Sequence, residues 1–476
     1  MPIAFLGLMA WLDPFSFAAD FDYDEGINLM KTLLLSEGYG LYTDVWNDQP
    51  PFLTVTLLRW FQLVGQSVES ARVLIALFSA LLLWSFYLAL RDSTTLFAAL
   101  LAVVLLVISE FYLRLSGAVM IGCRLLALAM LSVAILLLGK PWRWQVLLSA
   151  IVMACALQTK YFVVLFLPAI GIHFLWGSGR FQTLETKRRL IEAGIWFATV
   201  LVGFLVLAVA MNALNIGMLL GTHFGAQARG QASFAVENRR FLINFIKQQP
   251  VYVLLALIGV YWQWRRRQRS LLLPLTLFLA ALVALIFHQP VWYHHIPLLT
   301  IPLVWLAAFG VDAWTRTFLD LADAARLPTI YRRAALLIAT ALIGCAAIYF
   351  YPSPLGKRLD EQSKIYRPLY IWEIVYQLRA DGEQAPGFVF TDRPFYAFQA
   401  GLPVVPQLAV VSRKRMETGI ITDEILLDSL RDSQTRYVIL ERFTHDYSQV
   451  IIDEIESRYE LIMENEPGRY YRRIAP

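Results

Sequence analysis

Carboxylates crowd one early stretch of the chain, "FDYDEGINLMKTLLLSEGYGLYTDVWNDQPPF" from Phe21 to Phe52, with Asp22, Asp24, Glu25, Asp44 and Asp48 among them. A carboxylate held in such a loop can take a proton from an attacking hydroxyl, orient a water, or offer hard oxygen to a cation. Asp24, Asp44 and Asp48 are the oxygen donors that Mg2+ or Mn2+ would use, although three acidic residues in a loop define no geometry by themselves. A structural reading competes: Asp24 and Glu25 fall at the start of a helical pattern, where the helix dipole favours negative charge.

The elements that must position these groups are membrane helices. The chain has 476 residues, 58% of them hydrophobic and 16% charged, with a mean hydropathy of +0.56. That is more apolar surface than one soluble core can hide. The formal charge of +5 sits in short basic clusters between apolar runs, which suits a bilayer surface and excludes a nucleic-acid partner. Cys123, Cys155 and Cys345 each lie in an apolar run and read as packing residues, not as a disulfide or metal framework.

A spanning helix needs ~20 apolar residues, and such runs number about eleven. They lie near Pro2 to Phe17, Ala71 to Leu90, Thr95 to Leu113, Cys123 to Leu138, Trp144 to Leu157, Tyr161 to Trp176, Ile191 to Met211, Val251 to Trp264, Leu271 to Phe287, Ile296 to Ala313 and Ala334 to Tyr351. The first is a short anchor without the charged start of a signal peptide. With the N-terminus cytoplasmic, Lys140 and Arg143, Arg180 with Lys187 to Arg189, Arg265 to Arg269, and Arg316, Arg332 and Arg333 all fall inside, as the positive-inside rule asks. The acidic loop, residues 18–70, then faces out, as do Asn212 to Pro250, the turn His288 to His295 and the C-terminal segment. Within the acidic loop, Gly26 to Ser36 and the stretch from Pro50 and Pro51 to Leu63 read as helices lying flat on the membrane.

The chain therefore divides into a membrane part, 1–351, and a soluble part, 352–476, that begins at the "YPSP" of Tyr351 to Pro354. The soluble part reads as a small α/β unit. Helices are expected over Glu361 to Arg379, Thr422 to Arg431 and Ser448 to Ser457, with strands at "GFVFTD", "RYVILE" and around Tyr470. No glycine-rich phosphate loop follows an early strand, which argues against a nucleotide site.

The motif series "DYDEG…SEGYGLYTDVW…PPF" resembles the first outer loop of the GT-C glycosyltransferases, in the branch of protein O-mannosyltransferases and the lipid A aminoarabinose transferase (glycosyltransferase family 39). Asp24 with Glu25, then Gly38, Leu41, Tyr42 and Asp44, then Pro50 with Pro51 match the family's order and spacing. "SARV" at Ser70 to Val73, "QTK" at Gln158 to Lys160 and "YHHIPLLTIPL" from Tyr293 are similar to later family segments. One departure stands out: many relatives carry a basic residue just before the proline pair, where it meets the lipid phosphate, and this chain has Gln49.

The resemblance implies a polytopic α-helical membrane protein of GT-C type with a small C-terminal α/β domain on the outer face of the inner or plasma membrane. It implies a hexosyl- or pentosyltransferase that takes sugar from a polyprenyl phosphate and passes it, with inversion, to a hydroxyl on a lipid, glycan or protein. Asp24 is then the general base, and Glu25 orients the acceptor or a water. Departure of a phosphate monoester needs cations, and Arg72, Lys160, His294 and His295 are the candidates, with Arg229, Arg239, Arg240 and Lys247 as further basic groups on that face. Tyr42, Asp44 and Asp48 order the loop or meet the acceptor. Each has a plainer reading: Lys160 as the turn of a hairpin in an apolar stretch, His294 and His295 as part of the aromatic belt with Trp292 and Tyr293, Arg239 and Arg240 as headgroup contacts. The competing classes are a transporter or flippase of a lipid or glycan, and a ligase or polymerase that uses a diphosphate-linked donor. The lack of an internal repeat and the position of the acidic cluster outside the apolar runs argue against the transporter.

Overall fold

In the computed structural model the described residues are 1–12, 15, 20–120, 122–138, 144–214, 235–288, 291–325, 369–465 and 468–474, with a few single positions between 328 and 338. The membrane part runs as helices α1 (Pro2–Leu12), α2 (Tyr23–Ser36), α3 (Phe52–Val64), α4 (Val68–Arg91), α5 (Leu96–Val107), α6 (Glu110–Leu115), α7 (Gly122–Leu137) and α8 (Gln145–Leu157). A 3-10 turn (Tyr161–Leu165) precedes α9 (Phe166–Trp176), α10 (Arg180–Thr183), α11 (Thr186–Ala210), α12 (Ala235–Lys247), α13 (Pro250–Arg265), α14 (Leu272–Phe287) and α15 (Pro297–Ala324).

Among the described residues, four segments are long and apolar enough to cross a membrane: Val68–Arg91, Thr186–Ala210, Arg269–Phe287 and Tyr293–Ala324. Arg239–Lys247 and Pro250–Arg265 pass together as one span bent by 80°, and shorter apolar helices account for the rest. Every run expected before Ala334 coincides with an apolar helix, whereas the run from Ala334 to Tyr351 lies almost wholly outside the described residues. Helix starts follow local chemistry. Ser67 caps α4 by accepting from the Ser70 N–H, Thr95 does the same for α5, and Pro250 and Pro297 open α13 and α15 at positions where a missing N–H costs nothing. α13 and α15 pack backbone to backbone at two glycines: a Cβ on Gly259 would stand 2.2 Å from the Leu306 carbonyl oxygen, and one on Gly310 2.1 Å from that of Leu255. Small residues permit this approach where helices lack a hydrophobic drive to associate.

The C-terminal part holds α16 (Leu369–Gln384), β1 (Phe388–Thr391), α17 (Phe395–Ala400), α18 (Arg413–Glu417), α19 (Asp423–Arg431), β2 (Thr435–Leu440), α20 (Gln449–Arg458), β3 (Tyr459–Glu464) and β4 (Arg469–Arg473). The sheet order is β1-β2-β4-β3, with β1 and β2 parallel and the other pairs antiparallel. Alternation along the strands gives the sheet two apolar faces. Val389, Tyr437 and Ile439 join a core with α2, α3 and α4, while Phe390, Val438 and Leu440 pack with Leu426, Leu430, Ile451 and Ile455 of α19 and α20.

Within this shared core α2 is covered rather than exposed: Glu25 to Leu34 are buried without interruption, and α17 packs against it. A Cβ on Gly26 would sit 2.6 Å from the Phe395 backbone nitrogen. The polar residues of α2 are satisfied internally, Asn28 by donating to the Val119 carbonyl at 2.9 Å and Lys31 by donating to Asn47 Oδ1 at 2.8 Å.

Candidate active site

The acidic loop is built from its N-cap outward. Asp22 caps α2, accepting from the Asp24 N–H at 2.9 Å, and its other oxygen accepts from the Tyr293 hydroxyl. Tyr293 lies beneath the Arg114 guanidinium, 4.3 Å from ring centroid to Cζ. The cap role suggested for Asp24 thus belongs to Asp22, and Asp24 is left half-buried in the first turn with its carboxylate uncommitted to capping.

Glu25 is turned the other way and fully buried. Its oxygens accept from Arg72 Nε at 2.9 Å and Nη2 at 2.7 Å, and also from the backbone N–H groups of Phe21 (2.9 Å) and Val119 (3.3 Å). Arg72 donates its remaining Nη1 to the Phe15 carbonyl and stacks on Phe21. Reading Glu25 as an acceptor guide and Arg72 as a phosphate ligand differs from this geometry. The two form a bidentate buried pair that braces α2 against α4, and breaking it would strand a charge in the interior.

Lys160 occupies the break between α8 and the 3-10 turn, in extended conformation (φ −164°, ψ 140°). The break is held by the Phe52 N–H donating to the Gln158 carbonyl at 3.1 Å and by Gln158 donating to the Phe204 carbonyl at 2.8 Å. The first bond fastens the entry of α3 to the end of α8, and the second ties that end to α11. Among the described residues the Lys160 ammonium makes no hydrogen bond or ion pair; it lies 5.7 Å from the Phe162 ring centroid. Burial lowers its pKa, and the negative charges of Asp24 and Asp48 oppose that fall. Asp24 responds in turn: burial and then the charge of Asp22 push its pKa up to about 6, with Lys160 and Arg442 pulling the other way.

Beside Lys160 stand His288, His294 and His295 around Phe162. Ring centroids are 4.7 Å apart for Phe162 with His288 and with His295, and 4.3 Å for His294 with His295. His295 Nδ1 accepts from the Trp292 N–H at 3.1 Å. Of the other basic groups, Arg239, Arg240 and Lys247 are exposed on α12, and Arg229 lies outside the described residues.

Tyr42 and Asp44 order the loop. Tyr42 adopts a left-handed φ of 73° and donates its hydroxyl to the Gln49 carbonyl at 2.7 Å, while exposed Asp44 accepts from the Gly40 N–H at 2.7 Å. Asp48 is half-buried and accepts from Gln49 Nε2 at 3.2 Å. Asp24, Asp44 and Asp48 therefore do not converge as a metal set, and no group of three His, Cys, Asp or Glu side chains among the described residues could hold an ion.

The soluble part contributes residues that sequence reasoning missed. Arg393 pairs with Asp20, Nε to Oδ2 at 3.1 Å, and with Glu441. Arg442 stacks over Tyr23 at 4.4 Å, and Arg415 over Trp46 at 4.5 Å. A signal existed: the two expected strands end alike, in Asp392-Arg393 and Glu441-Arg442. Lys31, a lysine inside an apolar helix turn, was the other.

A loop carboxylate and an ammonium with no hydrogen-bonded partner among the described residues lie where a broken hairpin of apolar helices meets an α/β domain, on an architecture similar to that of membrane glycosyltransferases of the GT-C type. Residues 30–219 match the family model for dolichyl-phosphate-mannose-protein mannosyltransferases, a stretch that begins just after Asp24 and Glu25. The fold is similar to that of ArnT from Cupriavidus metallidurans in the apo state, with a TM-score of 0.66 at 14% identity over 99% of this chain and 98% of that one. The same protein bound to undecaprenyl phosphate gives 0.65 at 13% over the same shares. The archaeal oligosaccharyltransferase AglB from Archaeoglobus fulgidus, in complex with an inhibitory peptide and a dolichol-phosphate, gives 0.54 at 12% over 90% of this chain and 66% of that longer one. No curated protein sequence matches the chain.

Proposed function

We propose that this enzyme moves a sugar from a polyprenyl phosphate to an acceptor hydroxyl on the outer face of the membrane, with inversion and with Asp24 as general base. The observation that carries the reading is Lys160: an ammonium with no hydrogen-bonded partner among the described residues, within electrostatic reach of Asp24 and Asp48. The structural neighbours that hold undecaprenyl phosphate and dolichol-phosphate support a lipid-phosphate donor. The acceptor oxygen attacks the anomeric carbon, its proton passes to Asp24, and the bond from that carbon to the phosphate oxygen breaks. Lys160, with His294 and His295 behind it, receives the charge that develops on the departing phosphate. An aspartate at its usual ~3.9 is a poor match for this task; one near 6 is a better base at neutral pH. Glu25 and Arg72 hold α2 in place for it.

Purified protein incubated with labelled polyprenyl-phosphate sugars and a membrane extract tests the reading. Asp24→Asn is expected to lower transfer by ~100-fold or more, since losing a general base costs roughly 10²–10⁴. Equal transfer by both proteins rejects Asp24 as base. Solute uptake into vesicles without any transfer would favour a transporter.

A further inference from the structure

We propose that the C-terminal domain supplies the site with a phosphate ligand: Arg442, at the carboxyl end of β2, binds an oxyanion of the lipid phosphate beside Asp24 and Lys160. The assignment rests on the lipid-phosphate reading above and adds to it a residue from outside the membrane part.

Ligands of open parallel sheets meet the carboxyl ends of the strands, and here that edge of the β1 and β2 pair is the one turned onto the acidic loop. The two arginines at this edge differ in what they do. Arg393 is spent on Asp20 and Glu441 and serves as the fastening between the two parts of the molecule. Arg442 is exposed and makes no hydrogen bond or ion pair among the described residues. It is nonetheless held in place. Its guanidinium lies over Tyr23 at 4.4 Å and over Phe443 at 4.7 Å, and the backbone on either side is pinned by Asp392, which accepts from the Glu441 N–H at 3.0 Å and the Phe443 N–H at 2.8 Å.

A guanidinium fixed by its faces, with its N–H edge unused, is arranged for a planar, bidentate acceptor such as a phosphate. Its charge already acts on Asp24, which places it at the reacting end of the loop. The loop also needs it. Asp22, Asp24 and Asp48 would repel an incoming phosphate, and a second cation beside Lys160 offsets that repulsion.

The test uses the full-length protein in lipid nanodiscs, with undecaprenyl phosphate as a sugar-free probe of binding and a labelled polyprenyl-phosphate sugar for turnover. Arg442→Ala is expected to raise the dissociation constant for undecaprenyl phosphate, and KM for the donor, by about tenfold or more. Its melting temperature should change little, because the side chain is exposed and only its two ring contacts are lost. Arg442→Lys should recover part of the binding, and Asp24→Asn should keep the binding while losing kcat. Undecaprenyl phosphate bound equally by wild type and Arg442→Ala overturns the assignment even where transfer is observed. Failure of the wild type to bind undecaprenyl phosphate at all defeats the donor reading, and the assignment with it.

Discussion

At Asp24, the base proposed above, the shift that would favour proton transfer also costs stability. Burial and Asp22 raise its folded pKa to about 6, against ~3.9 in an unfolded chain. A raised carboxylate favours the protonated form in the native state, so its contribution to stability is intact below pH ~4, falls as pH rises through 6, and is lost above. Two pH units correspond to about 3 kcal/mol. Asp24→Asn is therefore expected to raise the melting temperature at pH 8 by several degrees and to leave it unchanged at pH 4, as differential scanning fluorimetry would read. A constant difference across that range would contradict a raised pKa. Over the same window wild-type kcat/KM should climb from pH 5 to 7 with an apparent midpoint near 6. Asp24 was singled out in the sequence by the motif series it opens, and Lys160 by its family-like "QTK" segment and by its place in an apolar run. Glu25 and Arg72 were misassigned because their partnership spans 47 positions, and the pairing exists only once α2 and α4 are side by side.

Among the elements, α2 best separates what a pattern tells from what packing decides. Its mix of apolar and polar residues reads as an interfacial helix, but Asn28, Lys31 and Thr32 find partners inside, so the same pattern serves a helix buried on all sides. The contact that decides this is Gly26 against Phe395, backbone to side-chain root, with no flexible group able to yield. Gly26→Ala should cost roughly 1–3 kcal/mol by overpacking, lower the melting temperature and open the C-terminal domain to trypsin. Gly7→Ala, which meets nothing within 4 Å, should do neither; equal behaviour of the two would remove α17 as the cover of α2. Long apolar runs were readable from composition. β3 was not: it follows α20 with no intervening turn to mark where the helix ends.

The molecule as a whole places its acidic loop at the seam between a membrane body and a soluble cap. Basic loops on one side and the cap on the other predict an orientation. In a background lacking native cysteines, Arg267→Cys should react with a membrane-impermeant maleimide only from the cytoplasmic side and Glu456→Cys only from the opposite side. Labelling of both from one side would invert or break the arrangement.

The fastening of Asp20 to Arg393 spans 373 positions of sequence. At ribosomal speeds of ~5–20 residues per second, the first loop waits roughly 20 to 75 seconds for its cap. Throughout that interval the nascent chain threads its helices into the bilayer with α2 half-clothed and Arg442 not yet made. Closure of the seam between Asp20 and Arg393 is thus a late event of biogenesis, and a chain stopped before Arg393 would leave the acidic loop without its cap.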